Sequence, residues 1–225
     1  STNVVNPILT IMTPISMDHM EILGDNIIKI ANEKAGIIKK GVTLISSKQN
    51  KSVLNILLQV ANKRQAVVNV LESPSDIISE SDGTKFHFLG NDYKTSMIGS
   101  YQADNAALAI SAIKYFDKSI QNKTINEGLK NVQWPGRLQP VSKGVYYDVA
   151  HNSEGIKSTL KNLKIIFPIV SIYGLFCIKG EKDLKYVAKE IKANFEILFV
   201  TTNKQNSLLS PTTLSNKLKK FHVEN

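Results

Sequence analysis

The chain has 225 residues, 42% of them hydrophobic, and its 28 basic and 19 acidic side chains leave a formal charge of +9. That is enough apolar material for one large domain or two small ones, which excludes a disordered chain. The lone Cys177 excludes an internal disulfide framework, and the longest apolar stretch, near IVSIYGLFCI, has roughly half the length of a membrane span.

Strand and helix patterns alternate from the start, the signature of an α/β architecture. A strand over 8–15 leads through ISMDHMEILGD to a helix over 26–38, with Asp25 as its expected N-cap. A strand over 42–47, a helix over 51–63 and a strand over 65–71 follow. Residues 84–98 alternate in polarity around GND, which reads as a hairpin. SYQADNAALAISAIKYF is a patterned, Ala-rich helix, and 124–131 is a short second one.

WPGR, Trp134 to Arg137, interrupts this pattern with Pro and Gly, so the domain boundary is expected there, with domains over 1–133 and 134–225. Beyond it a Rossmann-like alternation is predicted: strand 145–150, helix 153–166, strand 169–176, helix 183–192 and strand 196–202. A last helix follows, capped near Ser210 with Pro211 in its first turn. Ser1 runs almost directly into a strand and no strand closes the second domain, so the sequence reads as a piece of a longer polypeptide.

Three constellations could carry chemistry. Asp18 and His19 occupy a strand-to-helix loop, and ligands of α/β sheets bind outside the carboxyl ends of strands. Glu33 and Lys34, on the next helix, either join that loop or are solvated surface charges. In YYDVAHNSEG, Asp148 and His151 end a strand where Asn152 or Ser153 can cap the following helix. That turn is a simple cap, or it holds a ribose hydroxyl and a phosphate oxygen at a helix N-terminus. Arg137 is a linker arginine or a planar donor for phosphate.

Other chemistries lack their residues. GIIKKGVT has the glycine spacing of a phosphate loop, but Val42 stands where the lysine belongs. One Cys and four scattered His residues make no zinc pattern, and no nucleophile elbow supports a hydrolase. The positive charge favours an anionic partner such as a nucleotide or a polyacid. The basic residues form no long run, so neither nucleic acid nor membrane is expected, and the setting is read as cytoplasmic.

Taken in order, SMDHMEILGD, IANEKAGIIKKG, SYQADNAALAI, WPGRLQ and YDVAHNSEGI resemble folylpolyglutamate synthase and its bifunctional dihydrofolate synthase relatives, members of the Mur ligase superfamily. The resemblance implies the second half of an ATPase domain followed by a Rossmann-like domain. It also implies an ATP- and Mg2+-dependent ligase that joins glutamate to folate through an acyl phosphate. By that resemblance His19 is a magnesium ligand, Lys34 a carbamylated catalytic lysine and Asn105 the contact to adenine. Arg137, Asp148 and His151 would reach ATP, Arg137 and His151 as catalytic groups, and Lys182 and Asp183 match a family KD pair. Val149 replaces a glycine usual in the family, which would crowd the nucleotide. The family's phosphate loop would lie upstream of Ser1, so the expected state is a monomer or a pair with an amino-terminal polypeptide. A cell-wall Mur ligase and a non-catalytic remnant are the alternatives; EKAGIIKKG with WPGR favours the folate branch.

Overall fold

The computed structural model describes residues 2–16, 26–180, 184–205, 207–221 and 223. The chain divides into two compact units, Ser1–Trp134 and Pro135–Asn225.

In the first unit, β1 (Thr10–Met12), β2 (Leu44–Ser46) and β3 (Val68–Val70) form a parallel sheet with β2 in the middle. Thr10 pairs with Leu44, and Leu44 in turn with Val68. Helices α1 (Ile27–Lys34) and α2 (Lys51–Lys63) supply Ile30, Ala31, Val53 and Leu57 to a core that includes Met12 and Leu44. Asn50 caps α2 by accepting from the Val53 amide. At the other end Gln65 takes a left-handed conformation, φ 51°, and the Ala66 amide reaches back to Ala61. This is a Schellman closure made without glycine, and it delays β3 by three residues against the predicted start at 65.

A second sheet is antiparallel: β4 (Ser75–Glu80), β5 (Gly83–Phe88) and β6 (Asn91–Thr95). The alternation over 84–98 predicts β5 and β6 but not β4. In β4, Asp76 sits at φ 52° and the register with β5 slips between Ser75 and Ile78, so the bulge erases the period-two pattern. The β5–β6 turn is Leu89–Gly90, both with positive φ, one residue earlier than GND. Two left-handed central residues make the tight turn that matches strand twist.

Helix α3 (Tyr101–Phe116) joins the two sheets, packing on β2 as well as on β5 and β6. Its alanines 103, 106 and 107 meet Phe86, Phe88 and Tyr93. Small residues let a helix approach on more than one side, so this helix is buried broadly rather than along a single stripe. Helix α4 (Asn122–Asn131) lies against β6.

The second unit opens with an antiparallel ribbon, β7 (Gln139–Ser142) and β8 (Val145–Tyr147), of which the sequence reading anticipates β8 alone. Strands β9 (Tyr173–Phe176) and β10 (Ile197–Val200) pair in parallel. Helices α5 (Ser153–Ile166), α6 (Leu184–Asn194) and α7 (Pro211–Lys219) close over one face with Leu160, Ile191, Leu198, Leu214 and Leu218. On the opposite face Tyr173 pairs with Ile197 and Leu175 with Phe199, and all four side chains are exposed. Gly174 is required by packing, since a Cβ there would lie 2.7 Å from both the Leu198 and the Phe195 side chains.

Gly83 carries a sharper constraint. It is buried at φ 140°, and an added Cβ would run into the Thr95 carbonyl oxygen. Gly83→Ala is therefore expected to destabilise the chain by roughly 2–4 kcal/mol. An unchanged urea midpoint would show that the hairpin tolerates a side chain there.

Candidate functional site

The first unit's candidate region lies at the carboxyl ends of β1 and β2. The Ser47 amide and hydroxyl both donate to the Met12 carbonyl, at 3.0 and 3.3 Å. Gln49 completes the join: its Oε1 accepts from the Ile15 amide at 3.0 Å, and its Nε2 donates to the Thr13 carbonyl at 2.9 Å and to Ser46 Oγ at 3.2 Å. One carboxamide thus satisfies backbone groups that have left the sheet ladder. It pins the segment over 13–15 that precedes Asp18 and His19 in sequence; those two lie outside the described residues, as do Lys182 and Asp183.

Helix α1 is capped by Asn26, whose Oδ1 accepts from the Ile28 amide at 2.8 Å. The predicted cap, Asp25, is one residue too early and outside the described residues. Lys34 is the last residue of α1 and is half-buried, with no hydrogen bond or ion pair to a described residue. Its neighbour Glu33 does not neutralise it. Both the carbonyl and Oε1 of Glu33 accept from Asn3 Nδ2, at 3.2 and 3.3 Å. Lys39 Nζ donates to the Asn3 carbonyl at 2.5 Å, and Arg64 donates to the carbonyls of Gly36 and Ile38. A Cβ on Gly36 would strike the Asn3 carboxamide, so a side chain there would displace Asn3 from Glu33. The chain on either side of Lys34 is thus held by Asn3 and by Arg64, with Lys39 in turn holding Asn3.

Asn105 is exposed at the start of the second turn of α3, and its Nδ2 donates to Oε1 of the buried Gln102 at 2.9 Å. Beside it Asp104 is half-buried, and burial raises its carboxyl above the ordinary value near 3.8. Lys34 and Asn105 share no hydrogen bond.

In the second unit the structure brings Arg137, Asp148 and His151 into one loop cluster. Asp148 follows β8 directly, and its Oδ2 accepts from the Leu138 amide at 2.8 Å while its Oδ1 accepts from the Ala150 amide at 2.7 Å. The Val149 amide donates to the Gly136 carbonyl at 3.0 Å, so the WPGR segment is fastened to the end of β8. Gly136 is at φ 77° and Leu138 at φ 43°; for leucine the left-handed region costs about 1–2 kcal/mol. Gly136 and Leu138 are buried, while Arg137 between them is exposed. His151 is exposed and its Nδ1 lies 3.0 Å from the Val149 carbonyl. Asn152 caps α5 by accepting from the Gly155 amide at 2.7 Å. A guanidinium, an imidazole and a capped helix N-terminus gathered at a strand's end suit an anionic ligand.

Sequence reasoning overlooked Asn3 and Gln49. A trace existed in SSKQN, a polar run directly after a buried strand, but nothing in it names the distant carbonyl that Gln49 meets. Among the described residues no group of three His, Cys, Asp or Glu side chains could hold a metal ion, and no helix is long and apolar enough to cross a membrane.

Residues 1–113 match the family model of the Mur ligase middle domain. The chain is 35% identical over 206 residues to the dihydrofolate synthase/folylpolyglutamate synthase of Bacillus subtilis, covering 85% of this chain and 48% of the relative. It is 29% identical to the folylpolyglutamate synthase of Lacticaseibacillus casei, covering 89% and 50%. Among solved structures, the folylpolyglutamate synthase of Mycobacterium tuberculosis complexed with ADP superimposes with a TM-score of 0.87 at 27% identity, over 97% of this chain and 52% of that one. The chain spans about half the length of the curated relatives it matches.

The desolvated Asp104 makes stability depend on pH. A carboxyl with a raised folded-state pKa binds its proton more tightly folded than unfolded, so stability falls as pH rises from the ordinary value near 3.8 through the folded one. Asp104→Asn removes that loss. Its advantage over the parent in urea midpoint is expected to grow between about pH 4 and pH 7. A difference independent of pH would remove burial of the charge as the cause.

Proposed function

Since the chain belongs to the Mur ligase family and is homologous to folylpolyglutamate and dihydrofolate synthases, we propose that it serves an ATP-dependent ligase that joins glutamate to a folate-type carboxylate. The observation that carries this reading is the length of the match. An alignment over 85% of the chain extends past the middle domain into the second unit, which begins within WPGR and contains YDVAHNS.

The reaction has two transfers. The substrate carboxylate attacks the γ-phosphorus of ATP, forming an acyl phosphate and releasing ADP. The glutamate amine then attacks the acyl carbon, phosphate leaves with the bonding electron pair, and the amine loses a proton. Both steps move negative charge onto phosphate oxygens, so positioning and neutralisation are the protein's task. In the second unit Arg137 is the planar donor for those oxygens, His151 assists it, and the N-terminus of α5 adds its dipole. In the first unit Asn105 meets the adenine.

Mg2+ would neutralise the triphosphate. The described donors suit it in one way: a carbamate on Lys34 turns an ammonium that repels a cation into an oxygen ligand, and His19 is the further ligand that the resemblance implies. The half-buried Lys34 has no acid partner among the described residues, whereas Lys39 is engaged by the Asn3 carbonyl.

Two experiments test the reading. The 225 residues contain no phosphate loop, so the chain alone is expected to yield no glutamylated product from ATP, glutamate and tetrahydrofolate. Joined to the part of the Bacillus subtilis relative that it does not match, it should release ADP and phosphate together with that product. Ordinary enzymatic rates from the chain alone, or a joined protein that turns over ATP without folate, would overturn it. For Lys34, NMR of the joined protein in 13C-bicarbonate is expected to show a carbamate resonance that Lys34→Arg abolishes. Lys34→Ala should lower turnover by about a hundredfold or more, with partial rescue by small carboxylates. Unchanged turnover in the alanine variant would end the carbamate assignment.

A further inference from the structure

We infer that Asp148 is a positioning residue, whose carboxylate clasps the turn over 136–138 and so fixes the direction in which Arg137 leaves the fold. The inference rests on the reading of Arg137 as the phosphate donor, but the clasp itself stands on geometry.

Each carboxylate oxygen of Asp148 holds one backbone amide. One belongs to its own turn, Ala150 at 2.7 Å, and the other lies ten residues earlier, Leu138 at 2.8 Å. Amides held by an ionised acceptor form stronger bonds than neutral pairs. The Val149 amide adds a second link to the Gly136 carbonyl, and Gln139 Oε1 accepts from the Gly136 amide at 3.0 Å. These bonds hold a turn that the chain would not otherwise favour, because Leu138 is left-handed at φ 43°. Leu138 is also fully buried, and a Cβ on Gly136 would lie 2.6 Å from Val149 Cγ1, so the turn is fixed by packing on both flanks of Arg137.

With both neighbours fixed, the Cα–Cβ bond of Arg137 has one direction, outward. A long cationic side chain on a mobile loop would have to be ordered by its ligand, whereas a fixed turn has ordered its root beforehand. The carboxylate also leaves the guanidinium unneutralised. An aspartate next to an arginine commonly forms an ion pair, but here both its oxygens are engaged by amides, and Arg137 pairs with no described residue. The acid therefore orders the arginine's turn without competing with an anionic ligand.

The test uses the 15N-labelled 225-residue chain with Asp148→Ala, Asp148→Asn, Arg137→Ala and the Asp148→Ala/Arg137→Ala double variant. Amide exchange at Leu138 and Ala150 should speed up by about tenfold or more in Asp148→Ala, with Leu160 and Ile191 unchanged. Asp148→Asn keeps one acceptor oxygen and should fall between, and it remains informative where the alanine variant does not fold. Unaltered exchange at Leu138 in a folded variant overturns the clasp. Sodium tripolyphosphate and ATP then serve as ligands for the same variants in the protein joined to the part of the Bacillus subtilis relative that the chain does not match. Asp148→Ala and Arg137→Ala should each weaken tripolyphosphate by about tenfold, and the double variant by no more than Arg137→Ala alone. Additive losses, or a loss confined to ATP, would mean that Asp148 touches the ligand itself and would overturn positioning. A joined parent protein that binds neither probe would overturn the phosphate role of Arg137 instead, while exchange at Leu138 still decides the clasp.

Discussion

Leu44, Ile45 and Ser46 have no exposed side: β2 is paired on both edges, and its residues are buried on both faces. Leu44 packs into the core of α1 and α2, while α3 covers the strand as well and reaches the antiparallel sheet. The registers of β1 and β3 are both set against this one strand, and a slip of one residue would exchange its core-facing set for the other. Everything in the first unit that bears on chemistry is aimed from here. The segment after β1 is tied to the end of β2 through Ser47 and Gln49, and Lys34 ends the helix that β2 supports.

Beyond the strand ends the backbone can no longer satisfy itself in a ladder, and polar side chains take over that duty. Gln49 accepts from one amide of the β1 segment and donates to one of its carbonyls. Asn3 holds Glu33, and Asp148 holds two amides in the second unit. In each case a short side chain replaces the hydrogen bonds that regular structure would have made, at a loss far smaller than that of leaving a buried amide unpaired. This division gives rigid loops without extending the sheet. It also uses up side chains that look from sequence like free ligands: the Asp148 carboxylate serves the backbone, and that of Glu33 accepts from the Asn3 carboxamide.

The α/β class was legible because hydrophobic alternation and helical periodicity survive wherever an element has one buried face. α2 and α5 are such cases, whereas α3, buried broadly, was legible from its long Ala-rich run; the observed limits of all three lie within a residue of the expected ones. The failures have local causes. Strand β4 carries a bulge at Asp76, and both isoleucines at 77 and 78 are exposed, so no alternation remains to be seen. Ribbon strand β7 contains Pro140, which argues against a strand except at an edge. In the candidate site, Arg137, Asp148 and His151 were legible as residue types because WPGR and YDVAHNS are unusual in composition. Their joining was not, since the bond from Leu138 to Asp148 spans ten residues and depends on a left-handed leucine, which no local preference announces.

Val149 shows how such a local departure is absorbed. Where the resemblance expects glycine, the chain has a β-branched side chain, and the sequence reading has it crowd a nucleotide. The structure turns its Cγ1 over Gly136, within 2.6 Å of where a Cβ would be. Gly136 thus answers two demands at once: a positive φ for the turn and an empty position for the valine. Val149 in turn fills the space beside the amide that donates to the Gly136 carbonyl. Val149 stays exposed on its outer side, but bulk removed at one position and added at the facing one keeps the two segments in contact, which helps a strained turn persist. The valine therefore belongs to the same fastening as the aspartate before it, and the two residues hold the arginine's turn by complementary means, one through hydrogen bonds and the other through shape.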